Sequence, residues 1–155
     1  MEVSECTESR RGFTLVEVLL AVMIIGILSG LGISQYHKGV DRARVAAAIG
    51  DITAISFAIS EYRSSYRQLP ASLADVGYGD RLDPWGQPYQ YLRLGGPGST
   101  GQARKDRALV PINSDYDLYS VGADGESVAP LTAAASQDDV IRANNGGYVG
   151  LASGY

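Results

Sequence analysis

The chain has 155 residues, with 13 Lys and Arg against 17 Asp and Glu and a net charge of −4. That length leaves room for one long helix and one small domain, which excludes a multidomain enzyme. The acidic balance supplies no basic field of the kind that draws nucleic acid.

Arg10-Arg11-Gly12-Phe13-Thr14-Leu15-Val16-Glu17 leads directly into a run, Val18 to Ile33, in which every residue is apolar or small. With Phe13 to Val16 the segment approaches the ~20 residues, ~30 Å at 1.5 Å per residue, that a bilayer requires. Arg10 and Arg11 favour cytoplasmic retention of the amino-terminal side, which puts everything after Ile33 outside.

Ser29-Gly30-Leu31-Gly32 has the small-residue character of a signal-peptidase site. Glu17 argues against that reading. A carboxylate in the first turns of a membrane helix costs ~2.5–3.5 kcal/mol or more on insertion scales and calls for a partner. The apolar segment contains no Lys, Arg or His. A new α-amine at Phe13, made by cutting after Gly12, would serve, either on the same helix end or from a neighbouring subunit of a polymer. The plainer alternative is a signal anchor with an incidental Glu. Cys6, the only cysteine, falls before the proposed cut, so the mature domain would have no disulfide although it faces an oxidising compartment.

Beyond the span, Val45, Ile49, Ile52, Ile55, Ile59 and Tyr62 recur at three- and four-residue intervals with polar residues between them. Ala43 and Ala46 to Ala48 are strong helix formers, and no Pro interrupts Val40 to Tyr62. The pattern predicts one helix from about Thr14 to about Ser65, with the isoleucine stripe as core. Leu69 to Asp75 reads as a loop and a short helical turn. Asp83-Pro84-Trp85-Gly86-Gln87-Pro88-Tyr89 reads as a compact turn around the only Trp. Tyr89 to Leu94 alternates as a strand does, Gly95 to Gly101 is a loop, and Tyr116 to Val121 is a second strand. The fold class is therefore α+β, with a small antiparallel sheet laid on the amphipathic half of the helix.

Gly96-Pro97-Gly98-Ser99-Thr100-Gly101 matches G-x-G-x-x-G literally, but Pro97 occupies the tight turn and no parallel βαβ unit precedes it. His37 is the sole histidine, which leaves neither a catalytic triad nor a zinc site to build. The ten tyrosines read as packing for half-buried strands. After Asp117 the only acidic residues are Asp124, Glu126, Asp138 and Asp139. By spacing alone a solvated acidic loop is the plainer reading, since this is not an EF-hand pattern. A hard cation taking 6–8 oxygens would also suit Asp side chains mixed with loop carbonyls.

Gly12-Phe13-Thr14-Leu15-Val16-Glu17 behind a short charged leader resembles the type III signal of type IV pilins and pseudopilins. Asp83-Pro84-Trp85-Gly86 together with Tyr119-Ser120-Val121-Gly122-Ala123-Asp124-Gly125 is similar to the major pseudopilin of the type II secretion system. The resemblance covers Gly12 to about Ile141 and is strongest at the two ends. It implies a pilin-like fold in three parts: a cleaved leader 1–12, a membrane and assembly helix 13–34, and an amphipathic helix plus globular domain 35–155. It also implies that a prepilin peptidase cuts between Gly12 and Phe13 and methylates Phe13, and that Glu17 guides docking into a filament. Its calcium ligands would map to Asp124, Asp138 and Asp139 with the carbonyl of Val121, a cation link standing in for the disulfide that many relatives use.

The implied role is a non-enzymatic subunit of a periplasmic pseudopilus. Its partners would be its own copies, the peptidase, an inner-membrane assembly platform and minor pseudopilins, but no nucleic acid. The precursor would be a single-pass bacterial inner-membrane protein with its carboxy-terminal domain in the periplasm. A surface type IV pilin for adhesion or motility and a signal-anchored periplasmic binding module are the rivals. Two departures stand out. Ser34 occupies a position where many relatives have Pro, and the stretch from Gly125 to Asp138 is long and rich in Ala.

Overall fold

The computed structural model describes residues 12–95 and 99–155, and the side chains of all of these except 31–34 and 99–100. Cys6, Arg10, Arg11 and residues 96–98 lie outside the described residues, and the end of the expected Gly95–Gly101 loop is instead a short helix, Ser99–Gln102. The first element is a single helix, α1 (Leu15–Tyr66), within one residue of the expected bounds and unbroken through Ser34. Thr14 caps it, its hydroxyl accepting the Glu17 N–H at 3.3 Å. At the other end Arg67 takes a left-handed φ of 57° and donates its N–H to the Arg63 carbonyl. Pro70 follows shortly after, so the helix cannot resume.

The chain divides into two compact units at Val40, a boundary that falls inside α1. In the first unit the side chains from Phe13 to Leu28 are exposed, with Phe13 at 83% and Leu15 at 76%. This part of α1 is long and apolar enough to cross a membrane.

In the second unit four strands, β1 (Gln90–Arg93), β2 (Tyr116–Ser120), β3 (Val140–Ala143) and β4 (Tyr148–Leu151), form an antiparallel sheet in the order β1-β2-β3-β4. Tyr91 pairs with Leu118, Tyr119 with Ile141, and Arg142 with Val149. Strand residues alternate between faces, and here both faces are covered. Tyr116, Leu118 and Val140 pack with Ala48, Ile52, Ile55 and Ile59 of α1, together with Leu73 and Tyr89. The isoleucine stripe is core, as its period predicts.

A second cluster, Ile112, Leu131, Ile141, Ala143 and Ala152, gathers with Tyr119 and Tyr148. Coverage on both faces explains why β3 is buried along its whole length, its charged Arg142 included. Only β1 and β2 fall where alternation in the sequence predicts strands. The tail after Asp139 supplies β3, a turn with left-handed Asn144 and Asn145, and β4.

Candidate functional site

At the amino-terminal end, Gly12, Phe13 and Thr14 precede the helix and are exposed, and Glu17 lies in the first turn of α1. The carboxylate therefore sits where the helix leaves positive partial charge. It stands four residues from the backbone nitrogen of Phe13, the atom that cleavage would expose as an amine. These residues gather at the start of a helix that presents apolar side chains on all sides, which is the geometry of a segment that lies in lipid or among copies of itself.

In the globular unit, the two motifs that carry the sequence resemblance form one device. Asp83 is 5% exposed. Its Oδ1 accepts the N–H groups of Trp85 (3.0 Å) and Gln87 (2.8 Å), which folds the Asp83-Pro84-Trp85-Gly86 turn upon itself. Its Oδ2 accepts the hydroxyl of Ser120 at the end of β2, and that hydroxyl in turn accepts the Gly122 N–H at 3.2 Å. The first turn thus holds the loop that opens with Gly122. Gly122 has a φ of +72°, and a Cβ there would come within 2.6 Å of the Asp138 main-chain oxygen and of its Oδ2. Only glycine meets both conditions.

Asp138 closes the loop from the far side, its Oδ2 accepting the N–H groups of Ala123 (2.7 Å) and Asp124 (3.1 Å). Asp124 is exposed, and its Oδ1 accepts the Glu126 N–H. Asp124 and Asp138 are therefore brought together, and Val121 adjoins them one residue before Gly122. Asp139 points elsewhere. It is fully buried, and its Oδ2 accepts hydrogen bonds from Arg104 Nη2 and, at 2.7 Å, from the Ser127 hydroxyl. Burial pushes its carboxyl up to about 6 against the opposing pull of Ser127 and Arg104. Among the described residues, no three acidic, His or Cys side chains gather closely enough to hold a metal. Were calcium bound here, Val121, Asp124 and Asp138 would supply part of its shell, and further carbonyls or water the rest of the 6–8 oxygens.

Nothing in the sequence singles out Arg104. It belongs to the charged run Arg104 to Arg107, in which nothing in the sequence tells it from Lys105 or Arg107. The one signal is indirect, since a carboxylate buried as Asp139 is calls for an opposite charge.

Residues 9–33 match the family described as the prokaryotic N-terminal methylation motif. An exposed apolar helix behind a Gly-Phe junction, followed by a small sheet domain, thus defines a filament-forming membrane protein processed by a peptidase. Among curated relatives, type II secretion system core protein G of Pseudomonas aeruginosa is 35% identical over 136 residues, covering 74% of this chain and 84% of that protein. The proteins of the same name from Aeromonas hydrophila (31% identical, 75% of this chain and 85% of that protein) and Escherichia coli K12 (30%, 77% and 86%) are similarly related. No solved structure matches. The chain belongs to the type II secretion system core protein G family.

Proposed function

We propose that this chain is a structural, non-catalytic subunit of the periplasmic pseudopilus of a type II secretion system, polymerising to drive export of folded proteins across the outer membrane. The observation that carries this reading is the relationship to core protein G over more than four-fifths of that protein's length, which joins the methylation motif to the sheet domain. The precursor is a single-pass inner-membrane protein with its globular unit in the periplasm. A prepilin peptidase removes residues 1–12 and methylates Phe13. Glu17 then pairs with the Phe13 amine of a neighbouring copy, relieving a carboxylate that lipid disfavours. The assembly platform and minor pseudopilins are its further partners.

Expression in a bacterium that carries the system, followed by mass measurement of the amino-terminal peptide, tests this directly. The expected peptide begins at N-methylated Phe13. Gly12→Val is expected to leave the leader attached, and Glu17→Ala to be cut normally yet fail to assemble into filaments. A wild-type chain that keeps its leader would favour the signal-anchored binding module instead. Glu17→Ala filaments at wild-type yield would remove the docking role.

Calcium belongs to the same proposal, held by the Val121 carbonyl, Asp124 and Asp138 and tying the start of the loop to its end. A ligand that binds only the folded state stabilises it. The full chain in detergent is therefore expected to melt several degrees higher in millimolar calcium than in excess chelator. Identical melts would sink the calcium role and leave the filament role standing.

A further inference from the structure

We infer that Arg104 is a built-in counter-ion that takes a metal's place at Asp139, fastening the carboxy-terminal loop from inside and leaving Asp124 and Asp138 as the two carboxylates that meet calcium. This deepens the calcium proposal above and is testable apart from it. Arg104 is 2% exposed, an unusual position for an arginine, and its surroundings account for it. Its backbone is held on both sides, since its N–H donates to Asp117 Oδ2 at 2.7 Å and its carbonyl accepts the Ile112 N–H at 3.0 Å. The neighbouring Lys105 N–H donates to the Ala129 carbonyl at 2.8 Å.

From that anchorage the side chain passes over the Tyr119 ring, 4.4 Å from its centroid. Nη1 donates to the Ser127 hydroxyl and the Val128 carbonyl, and Nη2 to Asp139 Oδ2. Ser127 in turn donates to the same Asp139 oxygen, closing a triangle.

One guanidinium thus joins residue 104, residues 127–128 and residue 139. Such a link between separated segments is what a loop-bound cation provides, here with a carboxylate, a hydroxyl and a carbonyl as oxygen donors. Because the charge is covalently part of the chain, the fastening does not depend on the calcium concentration of the medium. The remaining shell carries two carboxylates instead of three, which lowers its pull on a divalent ion.

The test is a double-mutant cycle on the full chain in detergent, with Arg104→Gln, Asp139→Asn and both together, melted in calcium and in excess chelator. Each single variant strands a buried charge and is expected to lower the chelator melt by about 10 °C, while the double variant falls well short of the sum. Asp139→Asn is expected to keep the wild-type calcium shift. Arg104→Gln is expected to show a larger one, because the freed Asp139 carboxylate then becomes available to the ion.

Additive losses in the cycle would overturn the pairing. So would an Asp139→Asn chain that has lost a calcium shift the wild type possesses. If Arg104→Gln does not fold, the calcium shift of Asp139→Asn alone decides. If the wild type shows no calcium shift, the calcium proposal falls, and the cycle still decides for or against Arg104.

Discussion

Gly122 shows how one residue can hold a loop by what it lacks. Its backbone occupies the left-handed region, and the space where a Cβ would stand is filled by the main-chain oxygen and carboxylate of Asp138. Gly86 has a similar φ of +89°, yet nothing lies within 4 Å of its would-be Cβ. The pair separates backbone strain from steric clash. Gly86→Ala is expected to lose about 1–2 kcal/mol, the usual left-handed cost. Gly122→Ala is expected to lose clearly more, because the Asp138 main-chain oxygen cannot swing aside as a side chain could. Urea denaturation of the two variants measures the difference, and equal losses would show that the Asp138 contact yields freely.

Among the elements, α1 carries its instructions most openly. Ile52, Ile55 and Ile59 are at most 1% exposed, whereas Phe57, two residues from Ile55 and on another face, is 72% exposed. Ile55→Ala is accordingly expected to cost about 2–5 kcal/mol of stability. Phe57→Ala is expected to stay within about 0.5 kcal/mol, as surface substitutions do. A chemical melt of each variant reads both numbers, and a large loss for Phe57→Ala would show that this side chain is covered in the species measured.

The helix was legible because its period is local, repeated over many turns and free of Pro. The strands β1 and β2 were legible for the same reason, through alternation within a few residues. By contrast, β3 and β4 were hidden. Val140-Ile141-Arg142-Ala143 reads as a short run containing a charge, and its burial depends on Arg142 finding Asp115, Asn113 and the Tyr116 ring from elsewhere in the chain. The candidate site divides in the same way. Gly12, Phe13 and Glu17 lie in one continuous motif, and Asp124 and Asp138 share one loop. The pairing of Asp139 with Arg104 bridges 35 residues and leaves no periodic trace.

For the whole molecule, the absence of a disulfide downstream of Cys6 shifts the burden onto internal charge. Arg104 and Arg142 are both nearly buried, each lies against a tyrosine of β2, and each meets an aspartate. Arg142 grips Asp115 through two nitrogens, at 2.9 Å to each carboxylate oxygen, and also donates to the Tyr116 carbonyl. Burial is the largest influence on Asp115 and pulls its carboxyl upward. The Arg142 hydrogen bond, the Tyr116 N–H and the Arg142 charge together outweigh it, so the net shift is below the ordinary value of 3.8. A folded carboxyl that releases its proton more readily than the unfolded one stabilises the fold above the unfolded value, and that stability is lost as pH falls through the folded one. Asp117 and Asp139, raised by burial, run the other way, favouring the fold as they take up protons on acidification. The raw melt against pH therefore mixes opposing slopes, and the difference between wild type and Asp115→Asn isolates one of them. That difference is expected to be constant above about pH 5 and to shrink below about pH 4, as first the unfolded carboxyl and then, at lower pH, the folded one take up their protons. A difference that stayed constant down to pH 2 would mean that the Asp115 carboxylate contributes packing and not charge to the grip on β3.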